Sequence, residues 1–91
     1  MTQEDLDKLK AKLIETTSFP SVYMFKVIVP SENRTIALVQ NIFEAAETEI
    51  FTKESDKGKY TSITAKQVVM SADEIIEVYK KAAEIKGVMM L

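Results

Sequence analysis

The residues of this sequence best suited to chemistry are charged side chains gathered around one glycine-bearing turn. Lys57, Gly58 and Lys59 lie between two runs that are rich in threonine, isoleucine and aromatic residues. Glycine adopts positive φ without steric strain, so the turn predicts a β-hairpin. The two lysines and the backbone N–H groups around Gly58 could bind an anion at the hairpin tip. A solvated, merely polar tip is the simpler interpretation.

A second candidate is a row of polar side chains on the strand that follows this turn. Tyr60, Ser62 and Thr64 occupy alternate positions and therefore share one face of that strand. Lys26 is the single charge in an otherwise apolar run, and we expect it to lie beside them. Lys26 could act as a nucleophile only if desolvation lowered its pKa, and a lysine that extends to solvent is the alternative.

Size and composition predict one soluble domain with a modest core. The chain has 91 residues, of which 46% are hydrophobic and 29% are charged, which is ordinary for a globular protein. A domain of this size buries only about two-thirds of the surface that its unfolded chain exposes. Dimerisation would therefore supplement its stability, and we expect that the protein forms a homodimer.

Several classes of function are disfavoured by composition. Twelve basic and fourteen acidic residues give a net charge of −2, which argues against DNA binding. Cysteine and histidine are absent, so thiol catalysis, imidazole catalysis and the usual zinc sites are excluded. We expect no cofactor, no metal and no catalytic residue. The apolar runs are too short for a membrane span, and Gln3-Glu4-Asp5 does not resemble a signal peptide, so we expect a cytoplasmic protein.

Three segments show helical periodicity. An amphipathic helix within residues 1–18 begins at Thr2 and presents leucines at helical spacing. A second helix is predicted from a Ser31 cap to about Glu47, and a third begins at a capping box in which Ser71 pairs with Glu74. The expected buried stripes of the three helices are Leu6, Leu9, Leu13 and Ile14; Ile36, Val39, Ile42, Phe43 and Ala46; and Ile75, Ile76, Tyr79, Ala82 and Ala83.

Four segments are predicted to be strands. Residues 22–29 are almost continuously β-branched or aromatic, which is typical of a central strand, and we assign Tyr23, Phe25, Val27 and Val29 to its core face. Residues 48–55 mix charged and apolar side chains as protected edge strands do. Residues 60–70 return from the hairpin, with Ile63, Ala65 and Val69 toward the helices, and residues 88–91 form a last short strand.

This order of elements predicts an α+β, ferredoxin-like βαββαβ domain over residues 19–91, preceded by the N-terminal helix of residues 1–18. In that topology two helices cover one face of a four-stranded antiparallel sheet, and the first and third strands pair at its centre. Lys26, Tyr60, Ser62 and Thr64 would then lie on the uncovered face, which also carries Met24 and Ile28. An uncovered apolar surface invites a partner.

Several motifs together resemble the YbeD-like family of small uncharacterised bacterial proteins. They are Phe19-Pro20 followed by the run from Tyr23 to Ile28, the hairpin from Ser55 to Thr64, and the ending Val88-Met89-Met90-Leu91. The resemblance implies a domain similar to ACT regulatory domains, which sense small metabolites at paired interfaces. The family pattern falls on Lys26, Ser55, Lys57, Gly58 and Tyr60. With Ser62 and Thr64, these residues form the candidate binding surface.

Three hypotheses of function follow. The first is a non-catalytic, ACT-like regulatory module, a homodimer that binds a small metabolite or a metabolic enzyme. The second is a small enzyme that uses Lys26 or Lys66. Acyl-phosphate hydrolysis, known on a similar fold, would need an arginine, and the single arginine is Arg34 beside Asn33. The third is a single-stranded RNA-binding sheet, which normally stacks bases on aromatic side chains of its two central strands; only Tyr60 is expected there.

Overall fold

The computed structural model describes residues 2–43, 48–55 and 57–90, which form three helices and four strands. In chain order they are α1 (Gln3–Thr16), β1 (Ser21–Pro30), α2 (Asn33–Ile42), β2 (Glu49–Glu54), β3 (Tyr60–Val69), α3 (Ala72–Ala83) and β4 (Met89–Met90). Neither the turn residue Asp56 nor the predicted end of the second helix, residues 44–47, is among the described residues.

The strands form one antiparallel sheet in the order β2-β3-β1-β4. β1 and β3 pair along their whole lengths, from Ser21 opposite Val69 to Pro30 opposite Tyr60. This strand order confirms the ferredoxin-like topology and its central strand pair. β2 is an edge strand, as its charged composition indicated, and the described residues of β4 pair with two residues of β1.

The core lies between the sheet and the helices. Phe25, Val27 and Val29 are at most 1% exposed, so the predicted core face of β1 is confirmed. The ring of Phe25 lies 5.4 Å from that of Phe43 and 6.4 Å from that of Tyr79, measured between centroids. These aromatic contacts join β1 to the end of α2 and to α3.

The N-terminal helix α1 packs against α3 and leaves the opposite face of the sheet uncovered. Its Leu6 and Leu13 are buried in the common core. The ammonium nitrogen of Lys10 lies 2.6 Å from a carboxylate oxygen of Asp73 at the start of α3. Ile14, predicted as a member of the buried stripe, is 60% exposed, so the stripe is narrower than expected.

Helix α1 begins as predicted, whereas the predicted cap residue of α2 is wrong and the predicted capping box of α3 does not form. Thr2 and Asp5 form a capping box at the start of α1. Glu32, rather than Ser31, is the N-cap of α2, because the Ser31 hydroxyl is hydrogen-bonded to Thr61. Ser71 is the N-cap of α3 but makes no side-chain capping bond.

The first turn of α3, the end of α2 and the buried stripe of α3 also differ from the prediction. The carboxylate of Glu74 accepts the Met70 N–H at 2.6 Å instead of completing a capping box with Ser71. Helix α2 ends at Ile42, so its predicted extension toward Glu47, including Ala46, falls on residues outside the described ranges. Ala83 in the predicted stripe of α3 is exposed, whereas Val78 is buried.

Candidate functional site

The candidate site is the side of the sheet that faces away from the helices, which we call the open face. Side chains alternate along each strand, so the open face takes every second residue of each strand. The register aligns these residues across the sheet. They are Val22, Met24, Lys26 and Ile28 of β1, Tyr60, Ser62, Thr64, Lys66 and Val68 of β3, Glu49, Phe51 and Lys53 of β2, and Met89 of β4.

The predicted residues Lys26, Ser62 and Thr64 come together at the centre of this face. Lys26 is directly opposite Thr64, and Ile28 is opposite Ser62 on the same strand pair. Lys26 is exposed, whereas Ser62 and Thr64 are half-buried by their neighbours. The aliphatic stem of Lys26 can therefore pack on the sheet while its ammonium group reaches solvent.

Two other predicted residues, Ser55 and Tyr60, lie at the end of the open face where β2 and β3 meet. They line a shallow cavity of about 230 Å³ together with Ser62. The remaining lining residues are Ile28, Lys53 and Glu54. The cavity offers hydroxyl groups, one ammonium group and one carboxylate, together with apolar surface from Ile28 and the ring of Tyr60.

The hydrogen bonds of Ser55 and Gly58 stabilise the hairpin itself. The Ser55 hydroxyl accepts the Tyr60 N–H at 3.2 Å, and the Ser55 carbonyl accepts the Gly58 N–H at 2.8 Å. Gly58 has a φ of 65°, as the turn required. Since its N–H is used within the turn, Gly58 has no backbone donor left for an anion. Lys57 is exposed, and the ammonium nitrogen of Lys59 lies 5.9 Å from the centroid of the Tyr60 ring.

Exposed apolar side chains extend the open face well beyond the predicted residues. Val22 is 67% exposed, Phe51 55%, Met89 54% and Val68 50%. The sequence alone did not single out Phe51, because its strand mixes polar and apolar residues. The alternation along the strand indicates that Glu49, Phe51 and Lys53 share one face. Only the register with β3 shows that this face is the open face.

Phe51 bears on the RNA hypothesis, because it adds a second exposed aromatic side chain to Tyr60. Phe51 lies on the edge strand β2, opposite Thr64, whereas Tyr60 lies at the end of β3. Tyr23 and Phe25 point toward the helices, as predicted. Tyr60 is therefore the only aromatic side chain that the two central strands present on the open face.

Groups whose pKa is shifted lie on the helix side of the sheet. Burial raises the pKa of the Tyr79 phenol, and the hydroxyl of Tyr23, 3.5 Å away, adds to the effect. The Asp73 carboxylate raises the pKa of Lys10, and hydrogen bonds from Thr2 lower the pKa of Asp5. Within the described ranges no three acidic side chains are grouped closely enough to hold a metal ion.

A larger groove of about 750 Å³ lies on the helix side, between the start of α2 and the end of α3. Arg34 lines it with Lys81 and Lys86, and Glu32 and Glu84 lie among these cations. The single arginine is therefore on the opposite side of the sheet from Lys26. The arrangement places Arg34 and Lys26 in separate surfaces rather than in one site.

Comparison with known proteins identifies relatives over most of the chain. Residues 14–91 match the model of a family described as "Protein of unknown function (DUF493)". A UPF0250 protein of Shewanella halifaxensis (strain HAW-EB4) is 34% identical over 84 residues, which cover 88% of this chain and 94% of the relative. The UPF0250 protein Sputcn32_2874 of Shewanella putrefaciens (strain CN-32 / ATCC BAA-453) is 36% identical with the same coverage. These matches confirm the resemblance drawn from the sequence motifs.

No solved structure matches this chain significantly. Among the described helices, none combines the length and apolar content needed to cross a bilayer.

Proposed function

Because the chain belongs to the DUF493 family, whose description names no activity, we propose a function from the open face: a non-catalytic regulatory module that binds a metabolic partner in the cytoplasm. One observation carries the proposal. Val22, Met24, Phe51, Val68 and Met89 are each at least half exposed on one side of one sheet. Several exposed apolar side chains gathered on one face are typical of a protein interaction site.

The arrangement of polar groups supports binding more than catalysis. Lys26 is exposed and Thr64 is its cross-strand neighbour, so the centre of the open face is wet rather than desolvated. A nucleophilic lysine needs desolvation or a neighbouring cation to lower its pKa. A solvated lysine on an apolar surface is instead suited to orienting a partner of opposite charge.

The experiment compares substitutions of two apolar residues whose exposure is similar. Phe51 on the open face is 55% exposed and Ile14 on α1 is 60% exposed. We expect that affinity-tagged wild-type protein and the Ile14→Glu variant retain the same proteins from a bacterial extract, whereas Phe51→Glu loses them. Circular dichroism of both variants verifies folding. Retention of the same proteins by Phe51→Glu, or of none by the wild type, would remove the basis for the proposal.

A second candidate is the sensing of a small metabolite, which the cavity beside Ser55, Tyr60 and Ser62 favours. Its volume of about 230 Å³ is below the roughly 300–1,000 Å³ of typical ligand pockets. A second copy of the chain, seated on the open face in a homodimer, would enlarge it. Thermal-shift screening of amino acids and organic acids, together with light scattering, tests this candidate. A monomer with no shift for any compound would contradict it.

A further inference from the structure

Charge is unevenly divided between the open face and the rest of the molecule. The open face carries Lys26, Lys53 and Lys66 against Glu49 and the Glu54 of its end cavity, which leaves nine basic and twelve acidic residues elsewhere in the chain. Among the described residues, none of these three lysines forms an ion pair. An acidic protein therefore presents its uncovered apolar surface with a positive charge.

Apolar residues form a group at each end of this face, and Met24 and Phe51 lie in the two rows between these groups, beside Lys66 and Thr64 respectively. Val22 pairs with Val68 in the row at one end, and Ile28 pairs with Met89 near the other. The two intervening rows contain Lys66 and Lys26 on the central strands. Ile28 is six positions after Val22 in the extended strand, which corresponds to about 20 Å.

We propose that the open face binds an acidic amphipathic helix of a partner protein. An α-helix rises about 1.5 Å per residue, so about thirteen residues span the distance between the two apolar groups. A helix about 10 Å wide covers two neighbouring strands. Apolar side chains near the two ends of the helix would contact the two groups, and carboxylates in its middle turns would pair with Lys26 and Lys66.

The composition of the centre of the open face favours an acidic helix over a lipid bilayer and over single-stranded RNA. A bilayer would force Lys26 and Lys66, at the centre of the face, toward its apolar region, whereas membrane-binding surfaces keep their cations at the rim. Single-stranded RNA needs aromatic platforms on the central strands, where the open face has only Tyr60. A helix with carboxylates in its middle turns satisfies both the apolar groups and the central charges.

The inference rests on the proposed function, but it can fail alone. If Phe51→Glu abolishes the capture of native proteins and the acidic-helix test below is negative, the open face is an interaction surface for another kind of partner. If both tests fail, the open face is not a binding surface.

The test uses a designed, fluorescently labelled peptide of about 18 residues with leucines near both ends and glutamates in its middle turns. A control peptide has lysines in place of the glutamates. Fluorescence polarisation should detect binding of the acidic peptide to the wild-type protein and no binding of the basic control peptide. We expect the Lys26→Glu/Lys66→Glu double variant to lose about tenfold in affinity for it and to gain affinity for the basic peptide.

A matched control tests whether the loss of affinity comes from the charge of the open face or from the net charge of the protein. The double variant Lys12→Glu/Lys81→Glu changes the same number of charges at exposed positions on the helices. It should bind the acidic peptide as the wild type does. Equal loss in both double variants, no binding of the acidic peptide at millimolar concentration, or tighter binding to phosphatidylglycerol vesicles or oligouridine would each overturn the proposal.

Discussion

Lys26 of β1 and Thr64 of β3 lie directly opposite each other, and both side chains leave the sheet on the side away from the helices. The next pair along, Phe25 opposite Ala65, is buried on the other side. Because side chains alternate along a strand, a slip of one residue would exchange these two rows. The burial of Phe25 therefore holds Lys26 on the open face.

The neighbours Phe25 and Met24 should respond very differently to truncation. Phe25 is 1% exposed, so Phe25→Ala should lower the free energy of unfolding by about 3–5 kcal/mol through lost burial and a residual cavity. Met24 is 54% exposed, and Met24→Ala should change that free energy by less than about 0.5 kcal/mol. Urea denaturation measures both. Similar losses in the two variants would show that the faces of β1 are misassigned.

Tyr79 should make the protein lose stability in alkali. Its folded-state pKa is raised, mainly by burial, whereas an unfolded tyrosine ionises near about pH 10. Above that pH the unfolded chain releases a proton that the folded chain retains, so the free energy of unfolding falls as pH rises. Urea unfolding between about pH 8 and pH 11 should show a shallower decline for Tyr79→Phe than for the wild type. Identical declines would exclude this cause.

Removing the Ser31 hydroxyl should destabilise the protein more than removing the hydroxyl of Thr61, to which it is hydrogen-bonded. The two oxygens are 2.8 Å apart, and Thr61 is 3% exposed whereas Ser31 is half-buried. Ser31→Ala leaves a buried hydroxyl without a partner, which should cost about 1–3 kcal/mol. Thr61→Val leaves the Ser31 hydroxyl within reach of water, so its cost should be smaller.

The double variant provides the control for this pair. Ser31→Ala combined with Thr61→Val removes both hydroxyls and should be less destabilised than Ser31→Ala alone, as measured by denaturant unfolding. Additive losses from the two substitutions would mean that the hydroxyls do not interact energetically.

Gly87 and Gly58 should differ in their tolerance of alanine. Both have positive φ, 87° and 65°, so alanine should be strained at either position by about 1–2 kcal/mol. A Cβ at Gly87 would also lie 3.3 Å from the ring carbons of Pro30, whereas at Gly58 the nearest atom is a carboxylate oxygen of Glu54 at 3.7 Å. The melting temperature should therefore fall further for Gly87→Ala than for Gly58→Ala. The reverse order would contradict the packing of Gly87 on Pro30.

Much of this fold could be predicted because its signals are local. The alternation around Phe25, the turn at Gly58 and the helical spacing of Leu6 and Leu13 each depend on neighbours within a few residues. The cap of α2 could not be predicted in the same way. Ser31 forms its hydrogen bond with Thr61, thirty residues away in the chain, and that competing partner appears only when β3 is in place.

The candidate site, too, was predictable only where local sequence patterns determine it. The sequence by itself determined which residues of β1 and β3 share a face, because the two-residue period of a strand leaves no other choice once Phe25 is buried. Only the tertiary structure decided that Phe51 and Met89 join Lys26 on one surface and that α1 packs on α3 instead of covering it. These outcomes depend on strand register and helix docking, which are set by contacts between residues far apart in the chain.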